Sequence, residues 1–383
     1  MRSNAYVCSI LLGAAMIASA SGSAAQPSTP ALEVESEQAR FRLVEVARGL
    51  EYPWSVAFLP GGDILVAEQP GRLRIIRRGA LLARPVAGLP EVYYEADAGL
   101  MDVAVAPDFA RTRTVFLSYS AGDVAQNRLE VFRARLVGDA LVDGEVVFRA
   151  LRDKKGHGPL GGRILPLPDG TLLVSVGDGY DVKEVAQDLG THLGSIIRID
   201  ADGRAPADNP FIGDDNALPE IFTYGHRTPQ GLARRAADGA VWTHEHGPKG
   251  GDEINILKPG ANYGWPLATY GRNYDGTPVS AHFHVEGTEP PAFYWLPSTA
   301  PSGMAFYEGL KFPEWRDDLF IGALAGRRLH RLEIDGDRVQ HVEDLLVEFG
   351  ERIRDVRVGP DGFIYLVTDE EEGRVLRIEP AAR

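Results

Sequence analysis

The chain has 383 residues and carries 54 acidic against 40 basic side chains, a formal charge of −14. That balance excludes a partner held through its phosphate backbone, because DNA and RNA are bound by clustered Lys and Arg. The only cysteine, Cys8, sits near the N-terminus, so no disulfide braces the body of the protein, and stability must come from a core or from bound metal.

Residues 1–25 hold one charge, Arg2, then an apolar run from Val7 to Ala18, then small residues from Ser19 to Ala25. This is the layout of a secretory signal peptide cut after Ala25, and it predicts a periplasmic or secreted protein. No later stretch reaches the roughly 18 apolar residues that a membrane span needs. Residues 26–40, opening Gln26-Pro27-Ser28-Thr29-Pro30, read as a flexible leader. A single domain is expected over residues 41–383, starting with a strand at Phe41-Arg42-Leu43-Val44-Glu45-Val46.

From there one pattern recurs, a Gly- or Asp-bearing turn followed by a short apolar strand. Its copies run from Leu59 to Ala67, Ala106 to Ser118, Leu167 to Ser175, Ala237 to Trp242, Trp315 to Gly322 and Gly359 to Val367. Helical periodicity is almost absent, and 43 glycines with 26 prolines suit many tight turns. Repetition of one small sheet at this spacing predicts an all-β fold, a six-bladed β-propeller. The strand near Phe41 should close the ring against Val375-Leu376-Arg377-Ile378, which hides both loose edges. A β-sandwich with a second domain would explain the strands but not the recurring turn.

The segment Thr243-His244-Glu245-His246-Gly247-Pro248-Lys249-Gly250-Gly251-Asp252-Glu253-Ile254-Asn255, followed by Asn262-Tyr263-Gly264-Trp265-Pro266, concentrates hard oxygen donors on stiff backbone. Carboxylates at Asp252 and Glu253, free carbonyls beside Gly247 and Pro248 and closely approaching glycines suit a calcium and cofactor cradle better than a zinc site.

Four motifs in order carry a family resemblance. They are Gly225-His226-Arg227-Thr228-Pro229-Gln230-Gly231, then His246-Gly247-Pro248 with Gly251-Asp252-Glu253-Ile254-Asn255, then Ala300-Pro301-Ser302-Gly303-Met304, then Arg352-Ile353-Arg354-Asp355-Val356. The chain resembles, over about residues 41–380, the soluble quinoprotein aldose sugar dehydrogenases of the glucose/sorbosone dehydrogenase family. The resemblance implies a propeller using pyrroloquinoline quinone and Ca2+ to oxidise aldoses at C1 to the lactone. Electrons would pass to an external acceptor, a quinone or a small redox protein.

It also implies roles. Arg352 and Arg354, two apart and so on one strand face, would grip the carboxylates of the quinone, for which guanidinium forks are suited. Arg227 would stabilise charge at the reactive carbonyl. Gly247 and Pro248 would offer carbonyls to one calcium, and Glu253 with Tyr263 would hold a second, structural one. His157 is the candidate general base, since a neutral imidazole can take the proton of a sugar hydroxyl, and Asp178 is its candidate orienting carboxylate. Asp97, Thr228, Ser298 and Ala325 fall at further cofactor-contacting positions. Loops at Thr269-Tyr270-Gly271 and Phe293-Tyr294-Trp295 are expected at the channel mouth.

There are departures from the family pattern. His157 lies six residues before Arg163 rather than four, which lengthens its loop. Asp97 replaces an amide, Thr228 replaces Asn and Ala325 stands where the glucose-specific branch has Lys. Two other classes remain open on sequence alone. A calcium-dependent lactonase or esterase could recruit Glu68, Asp97, Asp178 and His246, and a non-catalytic binding propeller would need no base. His244 and His246 share a strand face, but zinc would want further ligands at fixed spacing.

Overall fold

The computed structural model describes residues 32–158, 160–180 and 182–381. The expected signal peptide, residues 1–25, lies outside them. Six antiparallel sheets follow one another, five of four strands and one of five. The inner strands Pro53–Phe58, Leu100–Val105, Gly161–Pro166, Pro229–Arg234, Pro301–Phe306 and Ile353–Val358 neighbour one another in turn, and the last lies against the first. The result is a closed ring of six blades, the predicted β-propeller.

Each repeated turn joins an inner strand to the second strand of its blade. In three copies the hydrogen bonds superimpose: Leu59 N–H to Asp63 O, Leu167 N–H to Thr171 O and Gly359 N–H to Phe363 O, at 2.8 to 2.9 Å. The fourth residue of each turn, Gly62, Gly170 or Gly362, has φ of +89°, +87° or +78°. That left-handed conformation is the reason glycine recurs there. The strands that follow, such as Ile64–Glu68 and Leu172–Val176, are buried along their whole length, so they read as continuous apolar runs rather than alternating ones.

Closure joins the two ends of the domain. Arg40–Leu50 pairs antiparallel with Gly373–Pro380, with Leu43 opposite Ile378 and Leu50 opposite Gly373. Leu32–Glu35 adds a further strand outside it, so the sheet already begins within the segment read from sequence as a leader.

Blades are stitched near the axis by buried hydroxyls. Ser55 Oγ donates to Met101 O, Ser118 Oγ to Gly162 O, Ser175 Oγ to Pro229 O and Ser302 Oγ to Ile353 O, each bond crossing from one blade to the next. A charged knot lies at the centre. Arg163, from the third blade, meets Asp355 of the sixth at 2.9 Å and Asp102 of the second at 3.5 Å. Arg357 meets the same two carboxylates at 3.0 Å each. Burial pulls the Arg163 guanidinium below its usual range, while for Arg357 burial is outweighed by Asp355 and Asp102, which hold it up.

Removing one member of such a knot leaves a buried charge without its partner. Asp355→Ala is expected to cost about 3–5 kcal/mol, measured as a fall in the urea midpoint at unchanged slope.

Candidate active site

The site begins with a defect repeated six times. Every inner strand breaks register near its start, between Pro53 and Ser55, Leu100 and Val103, Gly161 and Ile164, Pro229 and Gly231, Pro301 and Met304, and Ile353 and Asp355. A bulge bends the strand and re-aims the side chains beside it. Residues at these bulges, Trp54, Met101, Gly161, Gln230 and Arg354, line one axial cavity of about 180 Å³ at the upper end of the ring. Asp97, His246 and Arg352 complete its rim.

Arg352 and Arg354 both line this cavity, Arg352 just before the strand Ile353–Val358 and Arg354 at its bulge, not as alternate residues of a regular strand. A third residue fixes them. Asp369 accepts two bonds from Arg352, at 2.8 and 2.6 Å, and one from Arg354 at 3.1 Å. Burial pushes the Asp369 carboxyl up, but the charges and hydrogen bonds of Arg354 and Arg352 outweigh it and hold the group below the usual carboxylate range. Two fixed cations at one wall make the cavity suited to an anion. Gln230 Oε1 is buried there without a partner, an acceptor left for a donor on a ligand.

Opposite stands the turn between Val241–Glu245 and Asp252–Ile256. Asp252 is its pin: it accepts from Gly247 N–H at 2.9 Å, Ser298 Oγ at 2.7 Å, Thr299 N–H at 2.8 Å and Ala300 N–H at 3.0 Å. The carboxylate read from sequence as a cation ligand is thus spent on backbone, and the Ser298 hydroxyl is spent on Asp252. The Arg227 guanidinium donates to His246 O at 3.1 Å and Gly247 O at 3.2 Å, and it lies 5.6 Å from the Trp265 ring. His246 donates from Nε2 to Pro301 O at 2.6 Å, and burial lowers its pKa.

Behind this turn, Glu245 and Glu253 face each other across the ladder. Glu245 is satisfied by His226 Nδ1 at 2.9 Å and Arg227 N–H at 2.5 Å. Glu253 is pushed well above the usual range by burial and then by Glu245. Both border a cavity of about 10 Å³ with Gly251 and Tyr263, the space of one small ion. A cation there would neutralise a costly buried carboxylate, and the hard oxygens fit calcium.

His157 lies on the same upper face but outside the cavity lining, with its side chain 42% exposed. Its Nδ1 is 3.3 Å from Tyr93 Oη and 3.5 Å from Glu95. The structure does not bring Asp178 to it. Asp178 accepts from Trp265 Nε1 and Tyr180 N–H, both at 2.8 Å, and burial raises its pKa despite Arg227. Thr228 is buried and contributes its carbonyl to His246 N–H. Ala325 is exposed in the turn after Leu319–Ala323. Among the described residues no three His, Cys, Asp or Glu side chains gather as a metal-ligand set. Both ring nitrogens of His244 are buried, and burial holds its pKa well below the usual imidazole range.

Sequence reasoning missed Asp369, Tyr93, Glu95 and the role of Glu245. Glu245 was adjacent to a recognised motif and one strand turn from Glu253, a signal that a hairpin reading would have found. Asp369, Tyr93 and Glu95 sit in loops with no distinguishing pattern.

The glucose/sorbosone dehydrogenase family profile matches residues 50–377. Aldose sugar dehydrogenase YliI of Escherichia coli K12 is 43% identical, over 86% of this chain and 91% of the relative. Among solved structures, the apo form of soluble aldose sugar dehydrogenase from Escherichia coli superimposes with a TM-score of 0.86 at 41% identity, covering 89% of this chain and 100% of that one. The pyrroloquinoline quinone-bound aldose sugar dehydrogenase from Streptomyces coelicolor gives 0.72 at 29%, covering 90% and 99%.

Asp252→Ala would leave three backbone N–H groups and a hydroxyl without their acceptor. A loss of about 3 kcal/mol in urea unfolding is expected, with faster proteolysis at residues 296–300.

Proposed function

The chain belongs to the glucose/sorbosone dehydrogenase family, whose members act on sugar CH–OH groups, and from that premise we propose that it oxidises aldoses at C1 to lactones with pyrroloquinoline quinone and calcium. The observation that carries this reading is the fixed cationic wall of Arg352 and Arg354, facing the Gly247 turn across an axial cavity. A flat tricarboxylate needs such a wall. When bound, the quinone supplies a hydride acceptor and calcium supplies Lewis acidity beside it.

The protein's own part is holding and proton transfer. Arg352 and Arg354 bind carboxylates, with Asp369 keeping both guanidinium groups from turning away. Arg227 is held between the carbonyls of His246 and Gly247 and the Trp265 ring, so positive charge is ready where negative charge develops. Pro248 and Gly247, whose carbonyl also accepts from Arg227, would offer oxygens to a catalytic calcium, and Glu253 with the Tyr263 carbonyl would hold a structural one. Asp97, Thr228, Ser298 and Ala325 border the cofactor. Ser298 and Thr228 act through the loops they brace, and Ala325 leaves space without a charge. His157 takes the proton from the C1 hydroxyl. Its Nδ1 is engaged by Tyr93 and Glu95, which leaves Nε2 for the sugar. Asp178 then orients Arg227 through Trp265 rather than acting on the base.

Electrons leave to an external acceptor, a quinone or a small redox protein, and the work is done in the periplasm or outside the cell once residues 1–25 are removed. Among the described residues no helix is long and apolar enough to cross a membrane.

The test is reconstitution of purified protein with the quinone and calcium, then an aldose and a dye acceptor. Dye reduction that requires all three is expected; lactone hydrolysis without the quinone would move the protein to the hydrolase class. In the same assay His157→Ala should lower kcat by at least about 100-fold with quinone affinity retained, and near-normal turnover would remove His157 from its role. Replacing both Arg352 and Arg354 by Ala should weaken quinone binding by about 100-fold or more, followed by titration of quinone absorbance.

A further inference from the structure

Residues 257–292 leave the lower end of the fourth blade and climb to the channel mouth. Trp265 reaches Asp178 on the way. Tyr270 and Gly271 then press on the site turn so closely that a Cβ on Gly251 would meet Gly271 N at 2.4 Å. At the top three rings stack. Tyr270 lies 3.9 Å from Tyr294 with planes 9° apart, and 5.3 Å from Phe283 with planes 12° apart. Tyr294 is itself opposite Glu253 in the sheet, so the stack is continuous with the proposed cofactor cradle.

The outer rings of this stack are open to solvent, Phe283 at 66% and Tyr294 at 41% exposure, and Leu267, Tyr274 and Leu296 of the same segment are exposed too. An exposed apolar cluster beside the site turn marks a place where something docks. Residues 267–296 carry one basic residue, Arg272, against three acidic ones, Asp275, Glu286 and Glu289, which argues against an anionic lipid surface. A flat, rigid, neutral platform matches a pyranose ring, whose C–H face is apolar while its hydroxyls point sideways into water. Rings already stacked lose little freedom when they bind.

Oxidation at C1 puts the reducing end of a sugar in the channel, so every further sugar unit must leave through the mouth, past this rim. Resting on the aldose reading above, we infer that the Tyr294–Tyr270–Phe283 stack is a subsite for the second pyranose of a reducing oligosaccharide, and that it makes maltotriose or cellotriose a better substrate than glucose.

The variants to test are Phe283→Ser, which removes an exposed ring, and Tyr294→Leu, which keeps apolar bulk but removes the flat face. The kcat/KM for maltotriose or cellotriose should fall by about five-fold in each, while that for glucose stays within about two-fold. Equal effects on both sugars, or none on either, would overturn the subsite. So would a raised KM for the dye with unchanged sugar kinetics, which would assign the surface to the electron acceptor. A separate arm uses protein without quinone and the methyl glycosides of maltose and cellobiose, which have no free C1 hydroxyl to oxidise. Saturation transfer from protein aromatic protons to the glycoside should be seen and should drop in both variants; its absence with every glycoside would also overturn the proposal. If glucose is not oxidised at all, the functional reading fails while this binding arm still decides the subsite.

Discussion

Two arginines and two aspartates at the axis set the conditions for everything above them. Arg163 is fully buried and Arg357 is half-buried beside it, and Asp102 with Asp355 compensates both charges. The partners come from three blades: Arg357 and Asp355 sit two apart on one strand, while Arg163 with Asp355 and Arg357 with Asp102 are made only by bringing blades together. Arg163 also lies 4.2 Å from the Trp54 ring, and Trp54 lines the cavity. The knot that closes the propeller is therefore also the support beneath its site.

Above this support, rigidity comes from carboxylates that serve the protein rather than a ligand. Asp252 gathers the 247–251 turn and the 298–300 loop onto one side chain, and Asp369 holds two guanidinium groups with one. Both exchange flexible loops for a fixed arrangement before any ligand arrives, which is what preorganised binding requires. Glu253 is the exception. It is buried beside Glu245 and raised in pKa, a cost that the fold carries alone unless a cation is present.

The mouth follows a different rule. The floor of the channel is charged and closely held, whereas the rim presents broad apolar faces on a long excursion from one blade. A polar, fixed interior suits one reacting carbon, and an open, flat rim suits partners that vary in length. The two halves meet at Gly251 and Gly271, where backbone touches backbone and no side chain would fit.

The sequence alone determined the blades, because their signals are local. A turn such as Leu167-Pro168-Asp169-Gly170-Thr171 closes on itself within five residues, and an apolar run such as Ile64-Leu65-Val66-Ala67 declares its own burial. It also paired Arg352 with Arg354, but on the period of a regular strand; the bulge between Ile353 and Asp355 and the shared Asp369 are what the tertiary structure adds. What it left open were the partnerships between segments distant in sequence: Asp369 for the arginines, Trp265 for Asp178, Tyr93 and Glu95 for His157, Asp252 for Ser298. Those pairs join loops separated by as few as 15 or as many as 87 positions. Strand pairing within a blade brings Asp369 to the arginines and Ser298 to Asp252, and packing of neighbouring segments brings the others together, because a hydrogen bond depends on distance in space and the chain records only distance along itself.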